Sequence, residues 1–253
     1  MKKIATRDLL ASIALLAAVI GAWWLASHRE WVSKVFLPTP EAAFTSLLDG
    51  LRDGDLVAYT LATAGRMVVG WFVASLLGIG LGALIGSSAA ARRWLQPTLE
   101  FIRPLPASAM LPIAIAIFGL SPAMVLFVVA FGAMWPVLLG TVHGFASVHA
   151  RLSEVGRALQ LSRSALALKI ALPNALPDIL AGMRLSLTVS LIVSIVGEMI
   201  ASQAGLGQAI LLAARSYRAS DLFAGVILLG AIGFVSNAAL GAGEHRLLRW
   251  QRP

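Results

Sequence analysis

One segment of the chain combines hydroxyl and charged side chains at helical spacing. Ser186, Ser190 and Ser194 recur every four residues, so a helix places all three on one side. Arg184 and Glu198 are 14 residues apart, which on a helix brings them within about 40° of one face and about 21 Å apart along the axis. Such a row of hydroxyl groups can hydrogen-bond a neighbouring helix or line a polar path, and both interpretations remain open for the serines.

Most other kinds of chemistry are excluded by the residue types. The chain has no cysteine, which excludes disulfides, thiolate metal sites and thiol nucleophiles. Its four histidines are scattered and form no HExxH pair, so we expect no metal site. The apolar segments hold no cluster of histidines and carboxylates, which argues against a membrane enzyme and a proton-coupled pump. We expect this chain to bind no cofactor.

The composition indicates that much of the chain lies in a lipid bilayer. Hydrophobic residues make up 58% and charged residues 13% of the sequence, and the mean hydropathy is +0.85. A soluble domain has about a quarter of its residues charged. The formal charge of +8 would suggest nucleic-acid binding in a soluble protein, but membrane proteins carry such an excess in their cytoplasmic loops. We expect contact with membrane lipid and none with nucleic acid.

Six apolar segments are long enough to cross a bilayer, which takes about 20 residues. The predicted spans cover about 9–26, 67–91, 99–120, 122–142, 179–201 and 222–243. The first segment resembles a secretory signal, but Trp23 and Trp24 near its far end favour a retained helix. We therefore predict an all-α membrane protein in which residues 1–253 form one bundle of six transmembrane helices.

The basic residues of the loops predict the orientation. With the N-terminus in the cytoplasm, the cytoplasmic side holds 13 lysines and arginines and the other side holds five. The positive-inside rule then places both termini in the cytoplasm. The long loop of about 27–66 is outside and contains acidic residues, whereas the loop of about 143–178 is inside and basic. A long, patterned cytoplasmic loop indicates a docking partner.

The two charges of the fifth span allow different roles. An arginine inside a bilayer costs about 3 kcal/mol on insertion scales. Arg184 either extends its charge to the interface along its own alkyl stem or belongs to a gate or pathway. Glu198 precedes a glycine-rich outer turn that could shape a mouth.

Prolines divide the third span. Pro104, Pro106 and Pro112 remove amide donors, and the freed carbonyl groups must be satisfied by protein or water rather than lipid. One interpretation is a broken helix that forms a wall of a translocation path. The other is that Pro104 and Pro106 only begin the span at the inner interface.

Small residues recur every four positions along the second span. They form a narrow stripe that lets another helix approach closely. The stripe consists of Gly70, Ala74, Gly78, Gly82 and Gly86.

The inner loop has the pattern of a short amphipathic helical hairpin over about 150–173. Ser153 is a good N-cap and Glu154 an acid in the first turn, both of which are favoured there. Basic and apolar residues follow, and Leu172-Pro173 is predicted to end the run. A helix lying on the membrane surface would show the same pattern.

The residues of this loop are similar to the EAA loop of ABC importer permeases. The matching positions are Glu154, Leu159, Ile170-Ala171-Leu172-Pro173, Ala175-Leu176-Pro177, and Gly182 with Arg184. Further motifs resemble the nitrate/sulfonate/taurine branch over about 36–230: Phe36-Leu37-Pro38-Thr39-Pro40, Arg103-Pro104-Leu105-Pro106, Phe118-Gly119, Glu198-Met199-Ile200-Ala201 and Gly205-Leu206-Gly207. Val155 and Gly156 replace two alanines, and Gln160 replaces a glycine, so the bend of the loop is expected to differ from the family pattern.

The resemblance implies a permease subunit, rather than an enzyme, in a bacterial inner membrane. It implies a second permease copy, a periplasmic or lipid-anchored substrate-binding protein, and an ABC ATPase dimer in whose groove the inner loop sits. The chain has no GxxxxGK[ST] motif, so ATP and Mg would be held by that ATPase. The expected substrate is a small anionic nutrient such as a sulfonate, taurine or nitrate, and the sequence does not decide among them.

Two sets of candidate residues follow. The positions expected to contact the ATPase are Ser153, Glu154, Gly156, Arg157, Leu159, Leu161, Leu172 and Pro173. Those expected along the translocation path are Pro106, Pro112, Arg184, Ser186, Ser190, Ser194 and Glu198. The alternative function is a self-sufficient secondary transporter or channel, for which an inverted repeat and intramembrane charges for coupling ions would be expected.

Overall fold

The computed structural model describes residues 6–52 and 54–248, and these ranges contain helices and no strand. The helices are α1 Thr6–His28, α2 Pro40–Arg52, α3 Leu56–Gly86, α4 Ala89–Ile102, α5 Leu111–Phe118, α6 Pro122–Ala146, α7 Ala150–Ala158, α8 Arg163–Leu166, α9 Leu172–Ala201, α10 Leu206–Arg215 and α11 Ala219–Leu247. A 3₁₀ turn, Ala107–Met110, precedes α5, and a π-turn, Ala167–Ala171, joins α8 to α9.

Within the described ranges, five helical segments are long and apolar enough to cross a membrane. They are α1, α3, α6, α11 and the continuous helix Ser164–Ala201, which joins α8, the π-turn and α9. A sixth crossing arises if α4 and the segment Ala107–Phe118 are counted as one bent span. The all-α bundle predicted from the sequence is therefore the observed fold.

The predicted third span is not one continuous helix. Residues 99–120 cover the end of α4 and the segment Ala107–Phe118, and these two elements meet at 87° across the segment that holds Pro104 and Pro106. Pro112 lies in the first turn of α5, where a missing amide donor costs little. The backbone is thus broken as the prolines predict, and helical structure already begins at Ala89.

Other predicted boundaries also differ from the structure. α3 begins at Leu56 instead of 67, because Arg66 is paired inside the bundle and does not end the helix. It ends at Gly86 instead of 91, and the helix of the fifth span begins at Ser164 instead of 179. Leu172-Pro173 does not end the helical run of the inner loop. Pro173 occupies the first turn of α9 directly after the π-turn, where its missing amide is tolerated.

The core consists of α3, α6 and α9, which approach one another closely at glycines. A Cβ atom at Gly78 would lie 2.8 Å from the Val137 Cβ, and one at Gly82 would lie 2.5 Å from the Thr141 Cβ. The sequence separation is the same in both contacts, so α3 and α6 run parallel. The stripe of small residues on α3 therefore packs against α6, as the spacing predicts.

α9 runs antiparallel to α6 and is equally close to it. A Cβ at Gly140 would lie 2.6 Å from the carbonyl oxygen of Asp178, and one at Gly182 would lie 2.6 Å from that of Pro136. These contacts bring one backbone against another.

The bundle end that carries residues 147–171 is called the loop end below, and the opposite end, which carries α10, is called the α10 end.

The glycines of α3 allow a direct test of this packing. Gly78→Ala should lower the free energy of unfolding by about 1–3 kcal/mol, because the added methyl group overpacks the contact with Val137. Gly80→Ala is the matched control, since nothing lies within 4 Å of its Cβ position, and its stability should stay equal or rise slightly. Thermal unfolding of the purified variants measures both. Equal melting temperatures would contradict the packing.

Candidate functional site

A groove runs along α6 and α9. Its part near the loop end has a volume of about 610 Å³ and is bordered by the bend between α4 and α5. A second cavity of about 310 Å³ continues it toward the α10 end, and Ala107 and Val189 line both. Charged and titratable side chains occur near the loop end, where Arg103, His143 and Asp178 line the wall. The remaining lining is mostly apolar.

The proline-containing bend forms one wall of the groove. Ala107 lies against Gly132 of α6, where an added Cβ would be 2.6 Å from the Ala107 Cβ. Leu105 and Ala107 line the groove, whereas Pro106 and Pro112 are absent from the lining of both cavities. The two predicted prolines are thus not part of the lining.

The three serines of α9 lie inside the bundle. All are fully buried, and none lines either cavity. The Ser190 hydroxyl donates to the carbonyl oxygen of Leu187 at 2.7 Å. Glu198 continues their four-residue series and bonds to α3, which places this side of α9 toward α3. The groove is lined by other residues of α9, among them Ala181 and Leu185.

Glu198 is a fully buried carboxylate that joins three helices. Its Oε1 accepts from the Arg66 guanidinium. Its Oε2 accepts from the Thr63 hydroxyl and from the backbone amide of Gly207, both at 2.9 Å. The Leu206 amide donates to the Thr63 hydroxyl oxygen at 2.9 Å. We call Thr63, Arg66, Glu198 and Gly207 the Glu198 clasp.

The clasp explains the two glycines that follow it. A Cβ atom at Gly205 would lie 2.4 Å from the Oε2 of Glu198, and one at Gly207 would lie 2.5 Å from the carbonyl oxygen of Ile195. Only glycine lets the start of α10 come this close to the carboxylate. Glu198 therefore accepts a hydrogen bond from a free backbone amide of α10, and its negative charge interacts favourably with the positive end of the α10 helix dipole.

The pairing of Arg66 with Glu198 is not among the sequence-based predictions. Both residues lie in apolar segments, and buried charges usually pair. Their separation of 132 residues, however, contains no signal of proximity. Arg184 is paired too: its guanidinium donates to Glu244 of α11 at 2.6 Å, and its side chain remains 45% exposed. It lies outside the lining of both cavities.

The predicted helical hairpin is present at the loop end and consists of α7 and α8. Gln160, where the resembling family has glycine, has a left-handed φ of 52°. The Leu161 amide donates to the Gly156 carbonyl at 3.0 Å, which closes α7 as a Schellman turn does. A side chain in this conformation costs about 1–2 kcal/mol. A glutamine thus occupies a backbone conformation that favours glycine.

The residues expected to contact the ATPase differ in their exposure. Glu154 and Leu159 are exposed, and Leu159 retains 67% of its accessible surface. Gly156 is buried, and a Cβ there would lie 2.4 Å from a methyl group of Leu166. Leu161 and Leu172 are half-buried and Pro173 is exposed. The side chains of Ser153 and Arg157 are outside the described part of the chain.

The fold is a helical bundle with a groove along α6 and α9 and an exposed hairpin at one end. Two solved structures share this fold. The MetNI methionine ABC transporter in inward-facing conformations matches with a TM-score of 0.66 and 19% identity, over 78% of this chain and 96% of that one. An amino acid ABC transporter matches with a TM-score of 0.57 and 21% identity, over 83% and 96%.

The chain belongs to the family of binding-protein-dependent transport system inner membrane components, which matches residues 74–249. It is 30% identical to the putative aliphatic sulfonates transport permease protein SsuC of Bacillus subtilis, over 94% of this chain and 87% of the relative. It is also 30% identical to the taurine transport system permease protein TauC of Escherichia coli, over 97% and 91%. The nitrate import permease protein NrtB of Leptolyngbya laminosa is 29% identical, over 91% and 84%. The resemblance to ABC importer permeases is confirmed.

The two ion pairs of α9 differ in burial, which allows a paired prediction. Arg66→Gln should lower the free energy of unfolding by about 3–5 kcal/mol, because the buried Glu198 charge loses its partner. Arg184→Gln should cost less than about 1 kcal/mol, since that pair is solvated. Double-mutant cycles with Glu198→Gln and Glu244→Gln, measured by unfolding of purified protein, give both coupling energies. Equal coupling in the two pairs would disprove the assignment.

Proposed function

We propose that this chain is the permease subunit of an ATP-driven importer for a small anionic nutrient, such as a sulfonate, taurine or nitrate. A periplasmic or lipid-anchored binding protein would deliver the substrate, and its own pocket would carry most of the selectivity. The substrate class rests on the names of the related permeases. One observation supports ATP-driven coupling: the hairpin is continuous with the helix that lines the groove.

This continuity supplies a mechanical route for coupling. The helix Ser164–Ala201 has 38 residues, so it extends about 57 Å from the hairpin to the Glu198 clasp. An ATPase dimer that binds ATP and Mg would bind the exposed hairpin through Glu154 and Leu159. The proposed contact also includes Ser153, Arg157 and Pro173. Gly156, Leu161 and Leu172 would hold the hairpin in shape.

We assign the path to the groove rather than to the serine row. The groove is open along one side, and a second permease copy facing it would complete a closed path. Ser186, Ser190 and Ser194 then belong to the buried side of α9, away from the path. Glu198 fixes the α10 end of the helix and Arg184 fixes its middle. Pro106 lies in the bend between α4 and α5, and Pro112 lies in the first turn of α5. Both termini lie in the cytoplasm and the loop end faces it, because that orientation gives the basic loops their preferred side of a bacterial inner membrane.

Charge reversal in the hairpin tests the coupling role. Glu154→Lys should weaken assembly with the ATPase and abolish most ATP-driven uptake, since it reverses an exposed charge at the proposed contact. Asp49→Lys is the matched control on α2, which is not part of the hairpin, and should leave assembly intact. Co-purification and uptake into proteoliposomes measure the outcome. Unchanged assembly and uptake in Glu154→Lys would refute the assignment, and so would flux without the ATPase.

Filling the groove tests the path. Ala181→Trp places a bulky ring at an exposed position of the groove wall and should block uptake at least tenfold while the ATPase still assembles. Leu84→Trp, at a position of α3 that is 72% exposed and not in the groove lining, should keep normal uptake. Normal transport by Ala181→Trp would show that the path does not run through the groove.

A further inference from the structure

α4 is amphipathic in an unusual sense, because its apolar face points away from the bundle. None of its residues is buried. Trp94 and Phe101 retain 80% and 77% of their accessible surface. At about 100° per residue, these two rings lie on the side of the helix opposite Arg92, Gln96 and Arg103. The polar face is the one that lines a cavity next to α6.

The position of α4 corresponds to a membrane–water interface. Its axis makes an angle of 87° with the segment Ala107–Phe118, and Leu111 and Ala114 of that segment pack along α6. α4 therefore crosses the direction of the spanning helices. It starts three residues after the end of α3, and its cavity is bordered by Ile85 and Ala146, near the ends of α3 and α6. A helix in this plane with exposed aromatic rings is typical of an interfacial helix.

The cavity between α4 and α6 has a volume of about 360 Å³ and carries excess positive charge. Arg92, Arg103 and His143 line it, together with Gln96 and Glu100. Glu100 accepts from the Gln96 amide at 2.8 Å, and in the described part of the chain no carboxylate forms a salt bridge with either arginine. Arg92 donates to the carbonyl oxygen of Gly86 at the end of α3. This leaves Arg92 and Arg103 beside one small space at the level of lipid headgroups, and Arg103 and His143 lie where this space adjoins the groove.

We propose that this cavity binds the headgroup of an anionic phospholipid, with Arg92 and Arg103 as the phosphate ligands. Guanidinium groups bind phosphate through paired hydrogen bonds, and basic pockets between membrane helices suit such headgroups. The apolar side chains that border the cavity, Leu99, Leu139 and Val142, would contact the first part of the acyl chains. Trp94 and Phe101 would lie in the same leaflet on the other side of α4. The site requires only the membrane fold, not the proposed transport function.

Lipid binding to the purified full-length chain tests the site. Native mass spectrometry in detergent should show binding of dioleoyl phosphatidylglycerol, weaker binding of dioleoyl phosphatidylcholine, and none of glycerol 3-phosphate. Arg92→Gln/Arg103→Gln should reduce the affinity for phosphatidylglycerol about 25-fold, at about fivefold for each basic residue. The charge-matched control is Arg29→Gln/Arg52→Gln at exposed positions outside the cavity, which should bind like the unmodified chain.

A second variant covers the case in which loss of Arg92 disturbs the fold. Gln96→Glu adds a negative charge at an exposed position of the cavity and removes no contact to the backbone, and it should reduce the affinity about fivefold. Phosphatidylglycerol binding that survives both the double variant and Gln96→Glu would overturn the proposal. Equal binding of glycerol 3-phosphate would also overturn it, because the site would then take a soluble anion.

The outer face of α4 has its own test, since the chain contains no cysteine. Trp94→Cys and Phe101→Cys, labelled with a fluorophore in the lipid-reconstituted chain, should be quenched by brominated phospholipid. Leu152→Cys on α7 should instead be quenched by a water-soluble quencher, because it is an exposed position of the hairpin. Protection of residues 94 and 101 from brominated lipid would show that a second protein covers this face and would contradict the interfacial position.

Discussion

The close approach of α3, α6 and α9 is the constraint on which the other features depend. In a bilayer the hydrophobic effect does not hold helices together, so packing and interhelical hydrogen bonds must do so. Glycines let these backbones touch, and at Gly78, Gly82 and Gly86 of α3 they recur at about every turn. The trio is therefore a rigid frame. The bend, α10 and the hairpin are attached to this frame, and their positions follow from it.

The charges of α9 are arranged around the same frame. At one end Glu198 lies inside the protein and bonds to α3 and to the start of α10. Near the middle of the helix, Arg184 reaches Glu244 of α11 in a more solvated setting. Each charge would be costly if left alone in lipid, and each is neutralised by a different neighbour. The long helix is thus secured to separate elements at its α10 end and near its middle, while one of its sides remains free to line the groove.

Local patterns in the sequence predict the fold class and part of the site. Apolar length predicts the spans, the small-residue stripe predicts the close contact of α3, and the hairpin is predicted from capping and periodicity. The pairing of Arg66 with Glu198 could not be predicted, because it joins residues that are distant in sequence. The serine row was consistent with two environments, and only the packing of α9 shows that it is buried. A broken helix was one of two interpretations of the prolines, and no local pattern in the sequence predicts its angle of 87°.

The contact at Gly182 has a mechanical consequence. This glycine touches the backbone of α6 near the midpoint of the helix Ser164–Ala201, with 18 residues before it and 19 after. The two helices touch on either side of this point as well, since a Cβ at Gly144 would lie 2.6 Å from the Cα of Ala175 and one at Gly197 would lie 2.8 Å from a methyl carbon of Val125. Contacts at three levels oppose a pivot of one helix on the other. A force applied at the hairpin would therefore displace α6 and α9 together, as one body.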